Sequence, residues 1–142
     1  METLEKKVIT VTTSVNAPVE KVWESWTKPE HITQWNNASD DWHTPHAEME
    51  LREGGRFTSR KEAKDGSMGF DFGGSIDALT NNEYIEYTLD DGRKVKITFT
   101  PEGNSTKVVE SFEAEDTNSL EMQKGGWQAI LNNFKKYTEG IS

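Results

Sequence analysis

The feature that most constrains this chain is a long stretch of alternating residues, cut by turn signals and followed by one amphipathic segment. From His46 to Ala114 the apolar period is two, and five turns interrupt it: Glu53-Gly54-Gly55, Lys64-Asp65-Gly66-Ser67, Asn81-Asn82, Asp90-Asp91-Gly92 and Pro101-Glu102-Gly103-Asn104. Closely spaced hairpins of this kind make a meandering antiparallel sheet. Ala47, Met49 and Leu51 share one parity, as do Met68, Phe70 and Phe72, then Ile85, Tyr87 and Leu89, then Val95, Ile97 and Phe99. Gly73-Gly74 marks a bulge or sharp bend. After Asn118 or Ser119 the period changes. Leu120, Trp127, Ile130, Leu131, Phe134 and Tyr137 fall on one face of a helix,.

An antiparallel sheet with one apolar face needs a cover, and this terminal helix is the only long amphipathic element available. The expected architecture is therefore α+β: a curved antiparallel sheet gripping a long C-terminal helix. The N-terminal part completes it. Val8–Val15 is rich in β-branched residues and reads as a strand. Asn16-Ala17-Pro18 and Thr27-Lys28-Pro29-Glu30 read as two helix starts, with Asn16 and Thr27 as caps and Glu30 at capping-box spacing. Trp23, Trp26 and Trp35 are expected to pack these two short helices onto one end of the sheet. A single domain spanning 1–142 follows, with its core at about 7–138.

Composition removes several classes of function. The absence of cysteine excludes disulfides, thiolate metal sites, iron–sulfur clusters and a thiol nucleophile,. A net charge of −9 argues against nucleic acid as the main partner,. No apolar run approaches the roughly 20 residues of a membrane span. Met1–Lys7 lacks the apolar stretch of a signal peptide, so a cytoplasmic location is expected. Five Trp, six Phe and three Tyr set the chain apart from disordered sequences,. There is no P-loop, dinucleotide fingerprint or nucleophile elbow, and no cofactor is expected.

The ordered motifs carry a resemblance. Ala17-Pro18-Val19-Glu20-Lys21-Val22-Trp23, Thr27-Lys28-Pro29-Glu30-His31-Ile32-Thr33-Gln34-Trp35 and Arg52-Glu53-Gly54-Gly55-Arg56-Phe57 resemble successive segments of the helix-grip (START-like, birch-pollen-allergen-like) superfamily. Asp65-Gly66, Gly73-Gly74-Ser75-Ile76, Asn104-Ser105-Thr106 and Gly125-Gly126-Trp127 follow in the same order. Together they are similar to the family named after the activator of the heat-shock protein 90 ATPase, over roughly Lys7 to Tyr137. The resemblance implies the fold. It leaves function wide, because the superfamily includes lipid carriers, cyclases, dioxygenase subunits and cochaperone domains.

Three functions follow as expectations. The first is binding of a small hydrophobic molecule between sheet and terminal helix, lined by Met49, Phe57, Met68, Phe70, Phe72, Tyr87, Phe99, Trp127, Ile130, Leu131 and Phe134. Glu110 joins them if Thr106, Val108, Glu110 and Phe112 point inward; in the other register Val109 is inward and Glu110 is in water. The second is a cochaperone-like interaction module acting on a heat-shock protein 90-type chaperone. The third is cyclase- or dehydratase-like acid/base chemistry, although no catalytic constellation is recognisable. A homodimer is compatible with all three. His43 and His46, near Asp40, Asp41 and Glu48, have metal-ligand chemistry, but Pro45 and the strand parity oppose convergence. His31 reads as exposed. Gly125-Gly126 inside the helix implies close approach of the sheet, a bend or room for a ligand, or else a frayed first turn.

Overall fold

A computed structural model of the chain describes residues 7–141. The leader-peptide reading of Met1–Lys7 therefore lies, apart from Lys7, outside the described residues. The elements are β1 (Val8–Val15), α1 (Val19–Thr27), α2 (Pro29–Trp35), β2 (Trp42–Met49), β3 (Arg56–Ala63), β4 (Gly69–Thr80), β5 (Tyr84–Leu89), β6 (Lys94–Glu102), β7 (Ser105–Glu113) and α3 (Leu120–Gly140).

The seven strands form one antiparallel sheet in the order β1-β7-β6-β5-β4-β3-β2. The sheet is a meander from β2 to β7, closed at its far edge by the first strand. It curls into a half-barrel, and α3 lies in its hollow. The arrangement is the α+β helix grip expected from the pattern of residues. The core sits on the concave face: Val11, Ile76, Ile85, Ile97, Val108 and Phe112 from the strands meet Leu131 and Phe134 from α3. Each such side chain stabilises the fold by about 1.5–3 kcal/mol.

Local signals explain most boundaries. Gly92 in the β5–β6 turn has φ +93°, a conformation costly for any residue with a Cβ,. A Cβ on Gly74 would lie 2.3 Å from the Thr88 carbonyl oxygen, so this glycine permits close strand pairing,. The register irregularity expected at Gly73-Gly74 instead lies between Ile76 and Ala78. Ser119 caps α3, its hydroxyl accepting from the Met122 amide at 3.1 Å,.

The other two caps differ from expectation. Helix α1 starts after Pro18 and α2 after Lys28, neither with a side-chain cap. Proline fixes the geometry there without one. The Thr27 hydroxyl instead donates back to the Trp23 carbonyl, and the Asn16 amide donates to Glu139 on α3. His31 is half-buried rather than exposed, because its Nδ1 lies 2.5 Å from the Tyr137 hydroxyl and binds α2 to α3. Gly125 and Gly126 are helical, and a Cβ on either would meet nothing within 4 Å. Neither close packing nor fraying accounts for them.

Candidate functional site

The curl of the sheet leaves a small cavity under α3. Its volume is about 60 Å³. The sheet contributes Met49, Phe57, Ser59, Phe72, Tyr87 and Glu110; the short helices and the residue after them contribute Trp26, Ile32, Trp35 and Asn36; α3 contributes Trp127 and Ile130. Ring packing builds this wall. Trp127 stacks on Phe112 with centroids 3.8 Å apart and meets Phe72 edge-on at 6.1 Å. Phe57 and Tyr87 lie 4.5 Å apart. Trp26 and Trp35 pack together and against Phe134, all at about 5 Å,.

Polar groups enter this apolar wall at three points. Glu110 is only 7% exposed and sits between Val11 and Ile97 of the neighbouring strands. Among the described residues its carboxyl has no hydrogen-bond partner. Burial pushes the Glu110 carboxyl up to about 8, against a smaller opposing pull from Lys61,. The Tyr87 hydroxyl accepts from Trp26 Nε1 at 3.0 Å, and burial raises the phenol far above its usual range. Lys61 is half-buried. Its ammonium donates to the Asn36 carbonyl at 3.1 Å and to Asn36 Oδ1 at 2.8 Å, and lies 5.6 Å from the Phe72 ring centre. Burial pushes Lys61 down to about 8. Asn36 is itself tied to Ser59. The lining thus carries a carboxyl that burial pushes toward its neutral form, an ammonium and a phenol.

At Asn36 and Ile130 the cavity adjoins a larger groove of about 280 Å³. Trp42, His43, Lys61 and Phe70 line it, with residues 37–39 of the loop after α2. The Trp42 and Phe70 rings stand 6.0 Å apart. The two spaces share this border, with the groove as the wider mouth beside the smaller inner space.

The expected lining residues divide accordingly. Met49, Phe57, Phe72, Tyr87, Glu110, Trp127 and Ile130 come together around the cavity. Phe99, Leu131 and Phe134 are buried in solid core beside it: Phe99 packs on Trp23 and Trp26, and Phe134 on Trp26 and Trp35. Phe70 keeps the inward parity, opposite Lys61, but is 48% exposed because it lies at the mouth. Met68 falls in the turn before β4, outside the two-residue period, and is exposed at 65%. It belongs to neither space. Trp26, Ile32, Trp35, Asn36, Trp42, Ser59 and Lys61 are among the site residues that the pattern of residues does not point out. A signal for two of them existed: if Phe57 faces inward, so do Ser59 and Lys61. The two histidines go separate ways, His43 to Glu62 and His46 to Glu48, each at 3.8 Å.

Comparison with known proteins places this geometry. Over 95% of its length the chain is similar to the AHSA1-like protein from Aeromonas hydrophila, with 40% identity, 94% of that chain covered and a TM-score of 0.90. It is 54% identical to Chr148 from Cytophaga hutchinsonii, covering 96% of this chain and 93% of that one, with a TM-score of 0.78. Protein NE0264 from Nitrosomonas europaea shares the fold at 18% identity, with a TM-score of 0.81 over 95% of this chain and 96% of that one. No curated protein matches. A sequence model described as activator of Hsp90 ATPase homolog 1-like protein matches residues 16–139. The chain, with its curled sheet around a terminal helix, belongs to the activator of Hsp90 ATPase homolog 1-like family.

Proposed function

We propose that this protein binds a small, largely apolar molecule between the curled sheet and α3, admitted through the groove beside Asn36 and Ile130. The observation that carries this reading is Glu110: a carboxyl buried in an aromatic-walled cavity with no hydrogen-bond partner among the described residues. A buried polar group without a partner is costly, and a fold with no use for one has no reason to keep it. Concave, mainly apolar spaces with a few converging polar groups are the usual form of small-molecule sites. An engineered apolar cavity of about 150 Å³ takes benzene. The inner space alone is smaller than that, so the groove holds the body of the ligand and the cavity its end.

The family's name speaks for a cochaperone role, which would act through the outer surface and would not require the cavity. Native mass spectrometry of protein taken directly from cells tests the proposal. A bound small-molecule mass, released on unfolding, supports it. A ligand-free spectrum under all growth conditions, together with stimulated ATPase of a heat-shock protein 90-type chaperone, would overturn it.

A further inference from the structure

We propose that the neck between cavity and groove receives the carboxylate of a small apolar acid, whose hydrocarbon body lies in the groove against Trp42 and Phe70. This rests on the ligand-binding reading above and gives the ligand its chemical class.

The argument starts from Lys61. The chain carries a net charge of −9, and its other well-placed cations have carboxylate partners: Arg56 with Asp90, Arg60 with Glu62, Arg93 with Asp91, Lys135 with Glu139. Lys61 is the exception at the site. Among the described residues no carboxylate oxygen lies within 4 Å of its ammonium, which is held by the two oxygens of Asn36. A cation withdrawn from water without a counter-ion is expensive, and an anionic ligand would supply one.

The second group is Glu110. It is buried between Val11 and Ile97 and makes no ion pair with Lys61 within 4 Å, and burial pushes its carboxyl toward the protonated form, which donates a hydrogen bond,. The Tyr87 oxygen already accepts from Trp26, which leaves the phenolic proton to give. The nearest other titratable group in the groove, His43, faces Glu62. The neck therefore offers one ammonium whose two oxygen partners on Asn36 leave a donor free, beside a cavity whose wall carries the Tyr87 hydroxyl,. Its complement is a monoanion that only accepts, and a carboxylate is that group. A phosphate monoester would bring about two charges against a single ammonium.

The test compares phenylacetate, phenylacetamide and 2-phenylethanol, titrated into the unaltered protein at pH 7 and followed by amide NMR shifts. The acid is expected to bind about tenfold more tightly than the other two, as a charge-assisted bond requires, with shifts at Asn36 and Ile130. Lys61→Met is expected to abolish that preference, so that the acid binds the folded variant no more tightly than the alcohol does. Alcohol and amide binding as tightly as the acid overturns the carboxylate assignment and leaves the ligand-binding reading standing. No shift with any of the three at about 10 mM overturns both, since even a millimolar complex would show. The three-ligand comparison does not depend on the variant folding.

Discussion

Trp26 on α1 donates its indole N–H to the hydroxyl oxygen of Tyr87, on the central strand β5, across 3.0 Å of buried space. One bond thus fixes the short helices against the middle of the sheet and holds the Tyr87 phenol at the cavity wall. Tyr87→Phe removes the acceptor and leaves a buried N–H unpaired. The expected cost is about 1–3 kcal/mol in urea unfolding. An unchanged midpoint would show that water reaches the indole, and that the helix end of the cavity is open.

Glu110 and Lys61 give stability a particular pH dependence. Glu110 ionises near its ordinary 4.5 in the unfolded chain but only near 8 in the folded protein. The folded state keeps a proton that the unfolded chain has lost. Stability from Glu110 is therefore fully present below about pH 4.5 and is lost as pH rises to about 8, by at most about 1.4 kcal/mol per pH unit. Lys61 acts at higher pH. Its charged form is penalised in the fold, so that cost is complete below about 8 and eases between 8 and the ordinary 10.5. Urea unfolding of the native protein and Glu110→Gln, at pH 5, 6.5 and 8, checks the first part. The difference between them should shift in favour of the variant as pH rises. A constant difference would place the carboxyl in contact with water.

These two residues also mark how far the sequence could be read. Glu110 was accessible through parity, because Val108 and Phe112 on either side are apolar and both turn inward. Parity tells which face a residue takes and not what covers that face, so Phe70 was grouped with Phe72 although the cover ends between them. Met68 departs for a different reason: it precedes β4, which starts at Gly69, so the two-residue period does not govern it. Trp26 and Trp35 were read as packing residues, which they are, but a side chain that closes a sheet end also walls whatever space lies behind it. Asn36 lies in the polar stretch between α2 and β2. Its role depends on Lys61 reaching it across 25 positions of sequence, and local pattern contains no trace of that contact.

Gly125 and Gly126 lie in helical backbone with open space where a side chain would begin. Gly126→Ala is expected to raise stability by about 0.5–1 kcal/mol, and Gly125→Ala by a similar amount, from helix propensity alone. Thermal or urea unfolding measures this directly. A loss of stability in either variant would mean that α3 moves against the sheet in solution and needs the missing side chain.

Ile130, like Asn36, lines both cavity and groove and so stands where the two meet. Ile130→Trp should fill the neck. Enlarging a packed site costs about 1–3 kcal/mol, which the fold is expected to survive, while binding of any ligand through the groove should disappear. Circular dichroism confirms folding and a ligand titration reads the loss. Undiminished binding by a folded variant would move the entrance elsewhere.

The central claim is that a small apolar molecule enters the space between sheet and α3, and an amide NMR titration of the unaltered protein with small aromatic compounds measures it most directly. The account predicts saturable shifts concentrated at Asn36, Phe72, Tyr87, Glu110 and Ile130. Shifts confined to the outer face of the sheet, around Asp77, Lys94 and Lys96, would contradict it.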